Sequence, residues 1–391
     1  MATVVNKIIN WNEQASSPRY DENFTDAPRP TGARSLPLAD FSNFSYVGAC
    51  RLNNADFGTS GLRNNTSSVT VDLANNRVFV ISHSWEYHLG AFTLPVLSMS
   101  TDYNSLPVGA NEQVFFDQKA LAPTALGGSS VLDAPTYLAV IGTELIVNMA
   151  PYYSGAGNTP ETTLVFQDLE NLAAGTVKGW HQLDVVEQGS QWVTPIPVEW
   201  QTLLNGDYLW GAGNAKLAIN SRLTMGVSAY ATSSSQYTGA VADSVNITTD
   251  KLMSFSSSVG DPQLHYDRTC QDRLNDIWGE TGGPQAGFII PGTRTYCVIG
   301  TFGSEKGTQY KLADDIGGIS GGFGPRFIAD NHYMYYLFDL NDMLDAKAAN
   351  RNSYDIQPYS YGKWTPEFLT TSDAGLDPDG FNPVGGVSWD E

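Results

Sequence analysis

Short runs of β-branched and aromatic residues, separated by turn residues, recur along most of the chain and constrain its fold more than any other feature. In one unit, residues 69–73 (VTVDL) and 78–83 (VFVISH) flank an Asn-containing turn at residues 74–77. Two β-branched runs around such a turn are typical of a β-hairpin. The segment 91–95 then predicts a third strand, which ends at Pro95.

Similar units follow, and their spacing of roughly 45 to 80 residues is typical of propeller blades that carry insertions. Only 16% of the 391 residues are charged, and 38 Gly and 20 Pro supply many turns. We therefore predict an all-β fold over residues 41–391, a β-propeller of about five or six blades. The further units lie at residues 137–149 with 163–166 and at 288–300, and residues 333–339 either continue the latter unit or begin the next. Three short helices are predicted as surface insertions at residues 198–204, 271–278 and 341–349.

The first 40 residues differ from the rest, because they contain several prolines and little periodicity. We interpret residues 1–40 as an extended N-terminal arm that packs on another subunit of an assembly, since its apolar side chains would otherwise be exposed. Those assembly residues are Val4, Val5, Ile8, Ile9 and Trp11.

The far end of the chain resembles the first strand of a further unit. Residues 383–391 end in an alternating pattern, and residues 44–50 show the same alternation. An unpaired strand at the rim of a propeller would expose its backbone donors and acceptors. We therefore expect both segments to share one blade, so that the two ends of the propeller lie close together.

The charge balance limits the partners. With 21 Lys and Arg against 41 Asp and Glu, the net charge is −20, which disfavours nucleic acid and anionic membranes as partners. No run of 18 apolar residues predicts a membrane span, and the N-terminus lacks the basic start and apolar core of a signal peptide. We expect a virion or extracellular assembly reached without a signal peptide, or otherwise the cytoplasm.

Cys50, Cys270 and Cys297 do not form a Cys-x-x-Cys pair. Three cysteines are too few for a disulfide scaffold in a chain of this length. We interpret them as small buried apolar residues.

Several short blocks of sequence have a similar residue pattern. They resemble the blades of uncharacterised propeller-like proteins from bacteria and their phages. The resemblance implies a propeller between about residues 44 and 389, supplies no catalytic residue and does not reach residues 1–40. The blocks are residues 60–62 (SGL), 72–80 (DLANNRVFV), 82–85 (SHSW), 196–201 (IPVEWQ), 290–294 (IPGTR) and 357–364 (QPYSYGKW).

The densest polar cluster is the segment 83–88 (HSWEYH), in which His83, Glu86 and His88 are possible metal ligands. On a strand, His83 and Glu86 would point to opposite faces. The alternative is a strand end at which the His and Trp side chains pack and form hydrogen bonds, and we assign no metal site. Residues 373–380 come closest to a calcium loop, for which a solvated loop is the alternative.

We assign no catalytic residue, because the chain lacks the nucleotide-binding patterns Gly-x-Gly-x-x-Gly and Gly-Lys-Ser/Thr. Aromatic residues near Gly and Pro could stack on sugars, and packing between blades is the alternative for each. This applies to Tyr152, Tyr153, Trp192, Trp200, Trp210, Tyr359 and Tyr361. The candidate ligand-binding residues are His83, Trp85, Tyr152, Tyr153, Arg222, Arg294 and His332.

Together these features favour a structural or recognition component of a phage particle or similar surface assembly. Its partners would be other protein subunits and a surface glycan. Two alternatives remain open. One is a propeller enzyme, such as a hydrolase or lactonase, that acts on a carbohydrate or lactone. The other is a carbohydrate-binding module.

Overall fold

The computed structural model describes most of the predicted propeller and two parts of the arm. The described residues are 4–8, 31–62, 68–83, 86–122, 132–151, 161–185, 189–213, 226–255, 264, 277–278, 283–302, 332–364 and 386–389. The strands are β1 (Val4–Ile8), β2 (Tyr46–Leu52), β3 (Val69–Asp72), β4 (Arg77–Ile81), β5 (Leu89–Thr93), β6 (Val108–Gly109), β7 (Asn111–Phe116), β8 (Leu132–Ile141), β9 (Glu144–Pro151), β10 (Glu161–Phe166), β11 (Val177–Leu183), β12 (Trp192–Pro195), β13 (Tyr208–Gly211), β14 (Ala229–Thr232), β15 (Asn246–Ile247), β16 (Asp250–Met253), β17 (Gly283–Ile289), β18 (Thr295–Phe302), β19 (His332–Asp339) and β20 (Ser360–Trp364), and the α-helices are α1 (Val198–Leu204) and α2 (Leu340–Lys347).

Most of these strands form four antiparallel sheets that are the blades of a propeller. Blade 1 is β3-β4-β5-β7, blade 2 is β8-β9-β10-β11, blade 3 is β12-β13-β14-β16 and blade 4 is β17-β18-β19-β20. The short strand β15 extends blade 2 by parallel pairing with β11. The first strands of the blades adjoin one another, β3 against β8, β8 against β12 and β12 against β17. The predicted all-β propeller is therefore confirmed.

The predicted blade number of five or six is wrong, because the described strands build four blades. One reason is that connections inside blades take up much of the chain, among them α1 between β12 and β13 and α2 between β19 and β20. Another is that residues 333–339 do not begin a new blade, since β19 pairs along its whole length with β18. A third is that β2 lies in a separate sheet with β1 and β6.

The N-terminal part of the chain joins blade 4 to blade 1. Residues 31–44, which we call the strap, pack on blade 4, where Phe41 stacks on Tyr335 with ring centroids 3.9 Å apart. The strap leads into β2, whose Leu52 packs among the core side chains of blade 1. The strap and β2 thus bridge the last blade and the first.

Strand β1 of the predicted arm pairs antiparallel with β2 of the same chain. Docking of the arm on another subunit stays a prediction. Ile9 and Trp11 lie outside the described residues, as do the side chains of Val4, Val5 and Ile8.

The ends of the propeller do lie close together, although they share no sheet in the described part. Residues 386–389 form no strand. They reach blade 1 through a hydrogen bond of 2.9 Å between the hydroxyls of Ser388 and Thr70. Val387 and Trp389 pack in the same apolar cluster as Phe44 of the strap.

The two helices were predicted within two residues of their observed bounds, but they are more than surface insertions. Trp200 of α1 and Met343 of α2 are fully buried in the main core, which spans blades 2, 3 and 4. Most of the third predicted helix, residues 271–278, lies outside the described residues. No helix in the described part of the chain is long and apolar enough to cross a membrane.

The connections between strands alternate between two ends of the propeller, because successive strands of a blade are antiparallel. Connections from first to second and from third to fourth strands lie at one end, which we call the turn end. It includes the tight turns at residues 73–76 and 142–143, together with α1 and α2. Connections from second to third strands, and from blade to blade, lie at the other end, which we call the loop end.

Candidate functional site

Apart from Arg294, the predicted ligand-binding residues fall, in the sequence, beside or between strands whose described ends meet at the loop end. His83 follows β4, and the backbone of His332 begins β19. The remaining candidates fall between strands that meet at this end, and they lie outside the described residues, as does the side chain of His332. These candidates are Trp85, after β4, Tyr152 and Tyr153, after β9, and Arg222, between β13 and β14.

At the loop end of blade 1, the segment around His83 is tied to residues 59–61. The Ser60 hydroxyl donates to the Glu86 carboxylate. The ring Nδ1 of His88 lies 2.7 Å from the Thr59 hydroxyl, and the His83 backbone N–H donates to the Gly61 carbonyl. Glu86 and His88 thus have partners other than each other. No group of three possible metal ligands occurs among the described residues, and residues 373–380 lie outside them.

A row of buried polar side chains crosses blade 2 towards its loop end. Thr163 on β10 lies opposite Asn148 on β9 and opposite His181 on β11, and directly opposed residues share one face of a sheet. We call Asn148, Thr163 and His181 the blade 2 polar row. The Thr163 hydroxyl donates to the Asn148 side-chain oxygen at 2.8 Å, and all three residues are buried.

Two donors of the blade 2 polar row have no hydrogen-bond partner in the described part of the chain. They are Nδ2 of Asn148 and Nε2 of His181. Burial lowers the pKa of His181 to about 4, and the Val245 backbone N–H donates to its Nδ1 at 3.2 Å. The neutral ring therefore carries its proton on Nε2.

Acid is expected to destabilise the fold through His181. Its pKa is about 4 in the folded chain against an ordinary value of 6.5, so protons bind the unfolded chain more strongly. This contribution to stability is complete above about pH 6.5 and is lost as the pH falls towards 4, a loss of about 3 kcal/mol. Urea denaturation across this range, on wild type and His181→Asn, measures it.

The His181→Asn variant keeps an acceptor for Val245 and should lose this part of the acid sensitivity. The same substitution at the more exposed His88 is the control for the replacement of a histidine elsewhere in the fold. A wild-type slope in His181→Asn would contradict the assignment.

Arg294 lies at the turn end, where the fold accounts for its side chain. Its buried guanidinium pairs with the Asp339 carboxylate at 3.0 Å and donates to the Leu36 carbonyl of the strap at 3.1 Å. Burial raises the pKa of Asp339, while the backbone N–H of Asn341 and the charge of Arg294 oppose that rise. Arg294 thus fastens the strap to blade 4.

The other predicted features divide between core and surface. Trp192, Trp200 and Trp210 are fully buried, so packing between blades is the correct interpretation for these three. Tyr359 is hydrogen-bonded to Thr295, and Tyr361 is partly exposed. Cys50 and Cys297 are buried as predicted, whereas Cys270 lies outside the described residues.

The comparisons with known proteins identify no family. No family model and no curated protein sequence match the chain. Among solved structures, the endo-arabinase from Bacteroides thetaiotaomicron VPI-5482 is similar over 78% of this chain and 83% of its own chain, with 11% sequence identity and a TM-score of 0.37. A similarity at this level carries no argument about activity.

Proposed function

We propose that this protein is a structural and recognition subunit of a surface assembly such as a phage particle. An exposed apolar surface beside β2, in the connection from β5 to β7, carries the proposal. Recognition of a surface glycan by the loop end of the same propeller completes it.

The apolar surface consists of Val96, Met99 and Val108, which are 91%, 62% and 49% exposed. The three residues lie along one edge of β2, because Ser98 pairs with Ala49 and Val108 pairs with Arg51. Neighbouring exposed apolar side chains on a folded protein typically mark a protein–protein contact. Another protein subunit is therefore the occupant we propose for this surface.

The loop end suits recognition because long connections on a rigid scaffold commonly bind partners. The connection from β18 to β19 at this end comprises residues 303–331, whereas that from β17 to β18 at the turn end comprises residues 290–294. In the sequence, Trp85, Tyr152 and Tyr153 fall between strands whose described ends meet at this end. Aromatic rings of this kind favour a sugar as the recognised target.

The double variant Val96→Lys and Met99→Lys is expected to fold normally and to lose incorporation into the assembly. Substitutions at such exposed sites change the free energy of unfolding by about 0.5 kcal/mol or less, while two charges would oppose burial in a contact. The measurement is co-sedimentation of tagged chains with large particles from the native source. Val198→Lys, at a site 78% exposed on α1, is the control.

Wild type and the control should co-sediment with particles, and the double variant should stay in the soluble fraction. The proposal fails if wild type sediments only as a free chain, or if the double variant co-sediments as wild type does. Release of reducing sugar from a surface glycan by the purified chain would identify a hydrolase instead.

A further inference from the structure

Three consecutive residues near the far end of the chain make separate contacts with the turn end of the propeller. Val387 packs in the apolar cluster formed by blade 4 and the strap. The hydroxyls of Ser388 and Thr70, on blade 1, are hydrogen-bonded at 2.9 Å. The Trp389 ring stacks on Phe288 of blade 4, with ring centroids 4.0 Å apart and ring planes at 6°. Each of the three residues thus has its own place on the propeller.

The blades themselves hold the contacted residues in position. Thr70 lies on β3, which pairs with β4, and Phe288 lies on β17, which pairs with β18. Tyr137, whose hydroxyl is hydrogen-bonded to the Trp389 backbone, lies on β8, which pairs with β9. The strap and β2 also join blade 4 to blade 1. The positions of these residues therefore do not rest on residues 386–389 alone.

Residues 386–389 dock on the blades without becoming part of a sheet. They form no strand, so no ladder of backbone hydrogen bonds in the described part attaches them. Ser388 and Trp389 border a cavity of about 240 Å³, and atoms beside an empty space lose part of their packing. The indole Nε1 of Trp389 is buried without a hydrogen-bond partner among the described residues, which is unfavourable. These features are those of a docked segment.

We propose that the turn end of the central channel is a peptide-binding site, and that residues 386–389 are the ligand that the chain itself carries. The site takes a short uncharged segment in which an apolar residue, a residue with a hydroxyl and a tryptophan follow one another. A segment of this pattern on another chain binds in the same way once residues 386–389 are displaced. The site does not depend on the proposed function, because neither the loop end nor the surface around Val96 takes part in it.

Trp389 is the anchor of the segment. A few residues supply most of the binding energy of a protein interface, and Trp is among the commonest of them. Its stacking on the buried Phe288 ring is therefore the contact on which docking depends most. The hydrogen bond between Ser388 and Thr70 adds a smaller contribution, since one such bond between neutral groups is worth less than a buried aromatic ring.

Binding of a synthetic peptide to the full chain tests the proposal. The probe is a fluorescein-labelled peptide of residues 383–391 (PVGGVSWDE), and fluorescence anisotropy measures its Kd. Trp389→Ala removes the anchor of the segment that the chain carries, so this variant should bind the peptide with a Kd of about 100 μM or below. Wild type should bind it at least about ten-fold more weakly, because its own segment has a high local concentration.

Three controls accompany the measurement. Trp364→Ala keeps residues 386–389 and should bind the peptide as weakly as wild type does. A peptide with Ala in place of its Trp should not bind Trp389→Ala. Adding Thr70→Val to Trp389→Ala removes the hydroxyl that contacts Ser388 and should weaken binding of the original peptide about five-fold.

The proposal is overturned if folded Trp389→Ala does not bind the peptide, if wild type binds it equally well, or if the Ala-containing peptide binds as tightly. If Trp389→Ala does not fold, a protease site inserted within residues 365–385 of the full chain replaces it. After cleavage of the folded protein, the released segment should exchange with the labelled peptide on a size-exclusion column. A segment that does not exchange would be an integral part of the fold and would equally overturn the proposal.

Discussion

Replacing Trp200 with Ala is expected to lower the free energy of unfolding by about 3–5 kcal/mol, the usual loss for a buried Trp or Phe. The Trp200 side chain is fully buried beneath α1. Its indole N–H donates to the Thr293 carbonyl at 2.8 Å, which connects blade 3 to the turn between β17 and β18 of blade 4. The substitution would open a cavity and leave that carbonyl without its partner.

Chemical denaturation of wild type and Trp200→Ala measures the effect. Trp364→Ala, at a partly exposed position of β20, is the control and should cost clearly less. An unchanged free energy of unfolding in Trp200→Ala, together with lost glycan binding, would instead make Trp200 a platform for sugars.

Replacing Arg294 with Met is expected to cost about 3–5 kcal/mol, because removal of one member of a buried ion pair leaves the other charge uncompensated. The remaining charge would be the largely buried carboxylate of Asp339. The strap would also lose the hydrogen bond from Arg294 to the Leu36 carbonyl. Faster proteolysis within residues 31–44 should therefore accompany the lower stability.

A double-mutant cycle separates the charge effect from the loss of packing. Asp339 caps α2 by accepting from the Asn341 N–H at 2.9 Å, and Asn at this position can keep the cap. Arg294→Met combined with Asp339→Asn should therefore recover part of the stability that Arg294→Met loses. If the two single losses simply add, the proposed coupling between these side chains is wrong.

The parts of the fold that follow local sequence rules could be predicted from the sequence. The hairpin of β3 and β4 lies where the β-branched runs flank the turn at residues 74–77, and α1 lies where it was predicted. The blade number could not be predicted in this way, because it depends on which distant strands pair. The assignment of β19 to the same sheet as β17 is such a case.

The candidate sites show the same limit. His83 and His332 stand out in sequence because they lie at the ends of apolar runs. His83 follows a second strand and His332 begins a third strand, and such strand ends meet at the loop end of the propeller. The blade 2 polar row could not be found, since its members come from three strands and become neighbours only through their register. A histidine directly after an apolar residue, as His181 follows Trp180, is the signal that could have drawn attention to it.

The strap has a consequence for synthesis of the protein. Arg34 contacts Asp345, 311 positions further along the chain, so the strap leaves the ribosome long before the blade on which it docks. Until α2 and β19 have been made, the apolar rings of Phe41 and Phe44 have no native surface to cover them. Contacts between such distant residues slow folding, and partly made chains with uncovered apolar groups tend to aggregate. Interrupted translation should therefore yield chains that depend on chaperones until the last blade is complete.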